Sequence, residues 1–316
     1  MDIGILMNQI VELFLMMLVG FLMYKWHIMS PTFNKHLTTF LVDGTMPLLI
    51  ISSVMEQTGP KDYVSVGIVF LVSTCLMLLL PVVGFGVGKV LRLPKNKRGI
   101  YSFMMTFSNI GFMGFPIIDA LYGSKAVLYT AIYNIVFNLC IFSIGILLLR
   151  NDSQEEGDQA SAWKALKGKL LSAGFMGAVL AIILYFLPIT TYPSVLYHVV
   201  DKVGGLTSPI AMLLIGANLA SMNFREVFDD FRVYLFALIK QVAVPLLLWL
   251  VINPCLKDPV MKGTMFVLIL MPVANNALLF ATKYGADEKL ATKNIFITTL
   301  ISLATIPLCL WIVGLV

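Results

Sequence analysis

Residues 108–116 (SNIGFMGFP) decide the fold of this 316-residue chain. They place an asparagine, two glycines and a proline inside a long apolar segment, where each freed backbone amide or carbonyl needs a partner. A second stretch, residues 271–276 (MPVANN), occupies the matching place in a later apolar segment. Two matched interruptions at membrane depth predict a duplicated membrane protein whose fourth and ninth spans are discontinuous helices.

The duplication extends beyond these two stretches. Four residues recur 162 positions later: Thr45, Pro47, Tyr122 and Gly123 correspond to Thr207, Pro209, Tyr284 and Gly285. A proline removes a backbone donor and disfavours a regular helix, so we predict helix breaks in spans 2, 4, 7 and 9. The prolines at these four breaks are Pro47, Pro116, Pro209 and Pro272.

The composition is that of a membrane protein, with 59% hydrophobic and 12% charged residues and a mean hydropathy of +0.91. Segments of about 20 apolar residues, enough to cross a bilayer, recur along the chain, and alternating strand patterns are missing. We therefore predict an all-α membrane protein of ten spans, at 4–24, 36–55, 64–88, 99–120, 126–149, 169–187, 203–222, 232–253, 262–282 and 290–315.

An acidic, polar stretch divides these spans five and five. Residues 150–168 form the predicted cytoplasmic linker between a first repeat, 1–149, and a second repeat, 169–316. Because five crossings leave the chain on the opposite side, the second repeat must be inverted. The loops that follow spans 1, 3, 5, 7 and 9 hold 16 of the 22 basic residues. The positive-inside rule therefore predicts that both termini lie outside the cell.

At its broken spans the chain resembles the auxin efflux carrier family, which holds the plant PIN auxin exporters and bacterial malate and malonate permeases. The matching pieces run in order along nearly the whole chain: residues 109–116 with Tyr122 and Gly123, Pro209 with 216–219, Lys240 before Pro245, Met271 and Pro272 with Tyr284 and Gly285, and 298–302. The short linker is similar to that of the bacterial permeases.

The resemblance implies ten helices as two inverted five-helix repeats, with helices 4 and 9 crossing beside a bound anion. It implies a scaffold of spans 1, 2, 6 and 7, a transport domain of spans 3–5 and 8–10, and a homodimer through helices 2 and 7. The expected function is secondary active transport of a mono- or dicarboxylate such as malate or malonate, or of an auxin-like indole acid, by alternating access. The expected place is a bacterial inner or plasma membrane, as a multi-pass protein.

Polar residues at membrane depth are the candidate substrate ligands. The breaks supply amides and half-helix N-termini that can bind a carboxylate, and polar pairs four residues apart on spans 5 and 10 share one helical face and are expected to line the same cavity. Interhelical hydrogen bonding and tight packing are the alternative interpretation. The candidates are Asn109, Gly111, Gly114, Asn134, Asn138, Lys240, Asn275, Asn276, Thr298 and Ser302.

Lys240 has two interpretations. It lies about 12 Å deeper than Arg232 at helical rise, and its counterpart in the first repeat is Leu78. An intramembrane cation is a functional suspect that can answer an anionic substrate. The alternative is a structural lysine that binds carbonyls of a broken helix and holds the crossing together.

Three acids near or inside the membrane, Glu12, Asp43 and Asp119, are candidates for coupling. We favour H+ over Na+ because no cluster of carboxylates and carbonyls marks a cation cage. Since the sequence has no nucleotide loop, metal-ligand spacing or catalytic triad, we expect no cofactor, no metal, no nucleic-acid partner and no enzyme. A passive anion channel or a ligand-binding membrane receptor remains the alternative function.

Overall fold

The structure, a computed structural model, describes residues 3–56, 61–150, 173–187, 189, 193–221 and 230–315. These residues form helices and no strand. In chain order the helices are α1 Ile3–Lys25, α2 Pro31–Met55, α3 Tyr63–Val90, α4 Arg98–Thr106, α5 Ile110–Tyr122, α6 Ser124–Leu149, α7 Ala173–Phe186, α8 Ser194–Ser221, α9 Phe231–Cys255, α10 Pro259–Leu270, α11 Asn276–Lys283 and α12 Glu288–Ile312.

Six of these helices, α2, α3, α6, α8, α9 and α12, are long and apolar enough to cross a membrane. They contain 25 to 28 residues each, or about 38–42 Å at 1.5 Å per residue. The all-helical membrane class is therefore confirmed. Helices α2 and α8 begin five and nine residues before the predicted spans, because hydropathy marks the part that lipid accepts and a helix can continue into the polar interface.

Glycines bring α1, α2, α7 and α8 close together. A Cβ at Gly20 would overlap the backbone of Leu213, and one at Gly216 would overlap the carbonyl of Met17, so α1 and α8 touch backbone to backbone. Gly177 on α7 packs in the same way against Pro47 on α2. Small residues let membrane helices approach closely where lipid supplies no hydrophobic drive.

Two short extended segments cross between the helices. Residues 107–109 join α4 to α5, and residues 272–274 lie between α10 and α11. The amide of Asn109 donates to the carbonyl of Pro272 at 2.8 Å, and the amide of Ala274 donates to that of Phe107 at 3.2 Å. This pairing, which we call the crossing, is antiparallel at Ser108 and Val273. It satisfies backbone groups that the helix breaks would otherwise leave bare in lipid.

Four helices widen into a π turn: Phe40–Thr45 in α2, Ile110–Gly114 in α5, Ile141–Gly145 in α6 and Ile239–Ala243 in α9. In three of them a proline follows within two residues of the turn: Pro47, Pro116 and Pro245. A proline clashes with the carbonyl four residues back, and a wider turn relieves that clash. The expected interruption at Pro47 is thus a wide turn within a continuous helix, and Pro209 lies three residues beyond a turn at Leu206 inside α8.

Two ion pairs join the two parts of the chain that flank the linker. Nζ of Lys97 lies 2.8 Å from Asp287, and Nζ of Lys125 lies 2.5 Å from Asp258. Burial acts to raise the pKa of each carboxyl, but hydrogen bonds from the lysine and from backbone amides outweigh it and hold the pKa of Asp258 and of Asp287 below its ordinary value. Each aspartate also caps the N-terminus of a helix, α10 or α12.

Candidate functional site

A cavity of about 90 Å³ lies against the crossing. We call it the crossing cavity. Its wall combines residues of the crossing, the first turns of α5 and α11, and faces of α2, α6 and α7. The lining residues are Val42, Met46, Ser108, Asn109, Ile110, Gly111, Phe112, Asn134, Phe137, Asn138, Phe175, Ala274, Asn275 and Asn276. Five of them are asparagines, and none carries a charge.

Asn109 caps the helix that follows the first break. Oδ1 of Asn109 accepts a hydrogen bond from the amide of Phe112 at 3.3 Å, so this side chain caps α5. The π turn that follows begins at Ile110, and Gly111 exposes backbone to the cavity. The positive end of the α5 dipole therefore points into the crossing cavity, where it favours an anion.

At the second break, two asparagine side chains make no hydrogen bond to the described part of the chain. Asn275 is the N-cap residue of α11, yet its side chain makes no capping hydrogen bond. Neither Asn275 nor Asn276 makes a side-chain hydrogen bond to another residue of the described chain, and both line the crossing cavity. The N-terminus of α11 also begins here, so two helix N-termini and two open amides meet at one cavity.

On α6, Asn134 and Asn138 form a pair within the cavity wall. Nδ2 of Asn138 donates to the carbonyl of Asn134 at 2.7 Å and to its Oδ1 at 3.2 Å. This leaves Nδ2 of Asn134 without a hydrogen-bond partner among the described residues. A primary amide donor of this kind suits a carboxylate oxygen.

Lys240 stands behind the wall of the cavity. It is 1% exposed, and its Nζ donates to Oγ of Ser108 at 2.8 Å and to the carbonyl of Met105 at 3.2 Å. Met105 lies in the last turn of α4, where the helix dipole is negative. Within the described residues, no carboxylate pairs with Lys240. These contacts agree with the interpretation of Lys240 as a structural residue that binds a carbonyl at a broken helix. Direct contact between Lys240 and a substrate stays a prediction.

Three other predicted residues do not line the cavity. Oγ1 of Thr298 accepts from the amide of Val273 at 3.1 Å, so it supports the crossing from behind. Oγ of Ser302 donates to the carbonyl of Thr299 at 2.6 Å within α12. Gly114 is buried against Leu268. The polar pairs of spans 5 and 10 thus lie in different places: Asn134 and Asn138 line the cavity, whereas Thr298 contacts the crossing and Ser302 bonds within α12.

The three acids are also absent from the cavity wall. Glu12 on α1 and Asp43 in the π turn of α2 are exposed, and Asp119 on α5 is half-buried. The apolar lining residues Val42, Met46, Phe137 and Phe175 were not identified from the sequence, because nothing distinguishes them from other packing residues. Ser108 also lines the cavity but was not among the predicted site residues, although it begins the stretch 108–116. Its position beside the first break is the sequence signal that could have identified it.

The fold and this cavity define a class: a multi-pass helical membrane protein with a polar cavity at a central break, as in membrane carriers. A profile of the family described as "Membrane transport protein" matches residues 5–310. The chain belongs to this family, which confirms the resemblance to the auxin efflux carriers; it is a transport protein and not an enzyme.

Three similar proteins carry transporter names. A "Putative malonate transporter" of Rhizobium meliloti is 24% identical over 291 residues, covering 88% of this chain and 86% of that protein. An uncharacterized transporter of Methanocaldococcus jannaschii is 22% identical over 312 residues, covering 97% and 98%. An uncharacterized transporter of Escherichia coli is 24% identical over 234 residues, covering 73% of each chain.

Proposed function

We propose that this protein is a secondary active transporter of a small organic anion, a mono- or dicarboxylate such as malonate or malate, and that the anion binds in the crossing cavity. One observation carries the proposal: an uncharged cavity, rich in amides, is backed by a buried lysine that has no carboxylate partner among the described residues. A buried cation without a counter-charge is costly. An anion in the cavity supplies that counter-charge through Ser108.

The donors favour a carboxylate over a neutral solute. Two helix N-termini point into the cavity, and the open amides of Asn134, Asn275 and Asn276 can donate to carboxylate oxygens. The name of the Rhizobium relative agrees with this chemistry. Indole acids are the second substrate class, because Phe137 and Phe175 give the cavity an aromatic side.

We further propose ten crossings arranged as two inverted repeats, 1–149 and 169–316, that open the cavity to one side and then to the other. Spans 1, 2, 6 and 7 form the scaffold, and spans 3–5 and 8–10 form the moving transport domain. The glycine contacts among α1, α2, α7 and α8 support the first group, and the two ion pairs tie members of the second group together.

The remaining parts of the proposal concern assembly and energy. A homodimer through helices 2 and 7 and an orientation with both termini outside follow from the resemblance and from the basic loops. We favour H+ over Na+ as the coupling ion because the sequence marks no cluster of carboxylates and carbonyls that could cage a cation, and Glu12, Asp43 and Asp119 are the acids to test.

The direct test is anion binding to the purified protein, measured as thermal stabilisation and by calorimetry. Malonate should stabilise the protein, because ligand binding to the folded state raises the melting temperature. Malonamide, which keeps the shape but not the charge, should not. Malate, succinate and indole-3-acetate rank the substrate class, and repeating the series at two pH values with and without sodium tests the coupling ion.

A matched pair of variants locates the site. Asn275→Ala should weaken malonate binding about tenfold and so reduce the malonate shift, whereas Asn253→Ala, at an exposed asparagine at the far end of α9, should leave the shift intact. Stabilisation by malonamide equal to that by malonate would overturn the anion proposal. Uptake of labelled malonate into proteoliposomes that saturates and depends on an ion gradient separates a carrier from a channel.

A further inference from the structure

A second polar cavity lies at the N-terminal end of α2, and no residue of the crossing lines it. Its volume is about 260 Å³, and it lies between the end of α1, the start of α2 and the end of α8. We call it the headgroup pocket. Its polar lining residues are Tyr24, Asn34, Lys35, Thr38, Asn218 and Ser221.

The local sequence explains why the pocket forms. Helix α1 ends at Lys25, and His27 adopts a left-handed backbone conformation with φ of 60°. Ser30 then caps α2 by accepting from the amide of Phe33 at 3.2 Å, and Pro31 occupies the first turn. The tight return places Asn34 and Lys35, one turn into α2, beside the ends of α1 and α8.

Asn34 contributes an unpaired polar atom at this pocket. The residue is 6% exposed, yet its Oδ1 is buried and has no hydrogen-bond partner among the described residues. A buried polar atom left unpaired costs about 1–3 kcal/mol. Asn34 lines the pocket, so a ligand that donates a hydrogen bond to its Oδ1 would remove this cost.

The charges specify the other half of the ligand. Lys35 is exposed, lines the pocket and pairs with no carboxylate of the described chain. The N-terminus of α2 opens into the same space and adds a favourable dipole for a phosphate. The pocket therefore offers a cation and a helix N-terminus on one side and an unpaired acceptor on the other.

Exposed aromatic residues set the depth of the pocket. Trp26 is 66% exposed and Phe33 is 49% exposed, and both adjoin the α1–α2 turn. Tryptophan and other aromatic side chains mark the level of lipid headgroups in membrane proteins. The headgroup pocket thus lies where the polar part of a lipid is found.

We propose that this pocket binds the headgroup of a phosphodiester lipid that carries a hydrogen-bond donor, with Lys35 facing the phosphate and Asn34 accepting from the donor. Phosphatidylglycerol, with hydroxyl groups, and phosphatidylethanolamine, with an ammonium group, both have this chemistry. Phosphatidylcholine has the phosphate but no donor. This inference is independent of the transported substrate.

The test is lipid binding to the delipidated protein in detergent, measured as a shift in melting temperature and by native mass spectrometry. Phosphatidylglycerol should stabilise the protein and phosphatidylcholine should not. Lys35→Gln should weaken phosphatidylglycerol binding at least tenfold. Lys89→Gln, which removes the same charge from the exposed end of α3, should leave it unchanged.

A second variant, Asn34→Ala, tests the proposal without destabilising the protein. Because it removes an unpaired buried acceptor, it should not lower the melting temperature of the lipid-free protein, but it should reduce the preference for phosphatidylglycerol over phosphatidylcholine. Equal stabilisation by the two lipids, or an undiminished shift in both Lys35→Gln and Asn34→Ala, would overturn the proposal. So would an equal shift with water-soluble glycerol 3-phosphate, which would assign the pocket to a free phosphate ester.

Discussion

The two extended segments of the crossing have the same backbone task and different side-chain chemistry. Residues 107–109 commit their side chains to structure: Asn109 caps α5 and Ser108 accepts from Lys240. In residues 272–274, the backbone amide of Val273 donates to the hydroxyl of Thr298. The side chains of the adjoining Asn275 and Asn276 stay open to the cavity. Two similar extended segments can therefore contribute unequally to one site, with structural support from the first and free donors beside the second.

Proline substitutions break the crossing itself and should have the largest effect. Asn109→Pro and Ala274→Pro each remove an amide that donates across the crossing, and a buried carbonyl loses its partner. We expect a loss of at least about 1–3 kcal/mol for each, the cost of the unpaired buried carbonyl. Asn109→Pro should cost more because it also removes the α5 cap. Melting temperatures of the purified variants test this order, with Asn109→Ala as the variant that removes the cap but keeps the amide.

Removing the buried charge of Lys240 should have the next largest effect. Lys240→Met should weaken malonate binding at least tenfold, or about 1.4 kcal/mol, because it removes the cation that bonds to Ser108 in the cavity wall. It should also lower the melting temperature, since Met105 and Ser108 lose a donor. Lys262→Met, at an exposed lysine bonded to Asn253, is the control. Unchanged binding in a folded Lys240→Met protein would leave Lys240 a structural role alone.

The support behind the second segment is tested by Thr298→Val. The substitution leaves the buried amide of Val273 without its acceptor and should cost about 1–3 kcal/mol of stability. Thr299→Val is a close control because the hydroxyl of Thr299 bonds only within α12, to the carbonyl of Ile295. Malonate affinity should change little in either variant, and a large loss of affinity in Thr298→Val would place this residue in the site.

Two asparagine variants should distinguish a residue that stabilises the fold from a residue that binds the anion. Asn109→Ala should lower stability by about 1 kcal/mol through loss of the cap. Asn275→Ala should weaken malonate binding about tenfold with little change in stability, because its side chain makes no hydrogen bond in the described chain. Calorimetry and thermal unfolding on both variants give the two readouts. The reverse pattern would exchange the roles of the two segments.

The ion pairs at the ends should give the smallest effects. Lys97→Gln and Lys125→Gln should each cost less than about 1 kcal/mol, since exposed pairs contribute little. Because the pKa of Asp258 and of Asp287 is lowered by folding, their contribution is complete above the unfolded pKa of about 4 and falls as the pH drops through the folded pKa. Unfolding measured from pH 7 to pH 3 should show loss only at the acid end, and less of it in the variants.

Much of this arrangement was predictable from the sequence. Each predicted span contains described helical residues, and the breaks at 108–116 and 271–276 fall at the crossing, because glycine and proline act locally on the backbone. Asn109, Asn134, Asn138, Asn275 and Asn276 line one cavity, as expected because polar side chains at membrane depth face a cavity in the bundle interior and not lipid.

Tertiary contacts decided the rest. Thr298 and Asn134 look alike in sequence, as polar residues on late spans of each half, but the direction each faces depends on how α12 and α6 pack against the crossing. The π turns were also missed, although Pro47, Pro116 and Pro245 each follow one closely. A proline two residues beyond an apolar turn is the signal that would have found them.

The polarity of the two ion pairs has a consequence for assembly. The first half contributes both lysines, Lys97 and Lys125, and the second half contributes both aspartates, Asp258 and Asp287. Lys125 and Asp287 are 162 positions apart, the interval at which Tyr122 and Gly123 recur as Tyr284 and Gly285. Two first halves brought together would therefore set lysine against lysine, and two second halves would set aspartate against aspartate. The two ion pairs thus favour contact between unlike parts of the chain over contact between like parts.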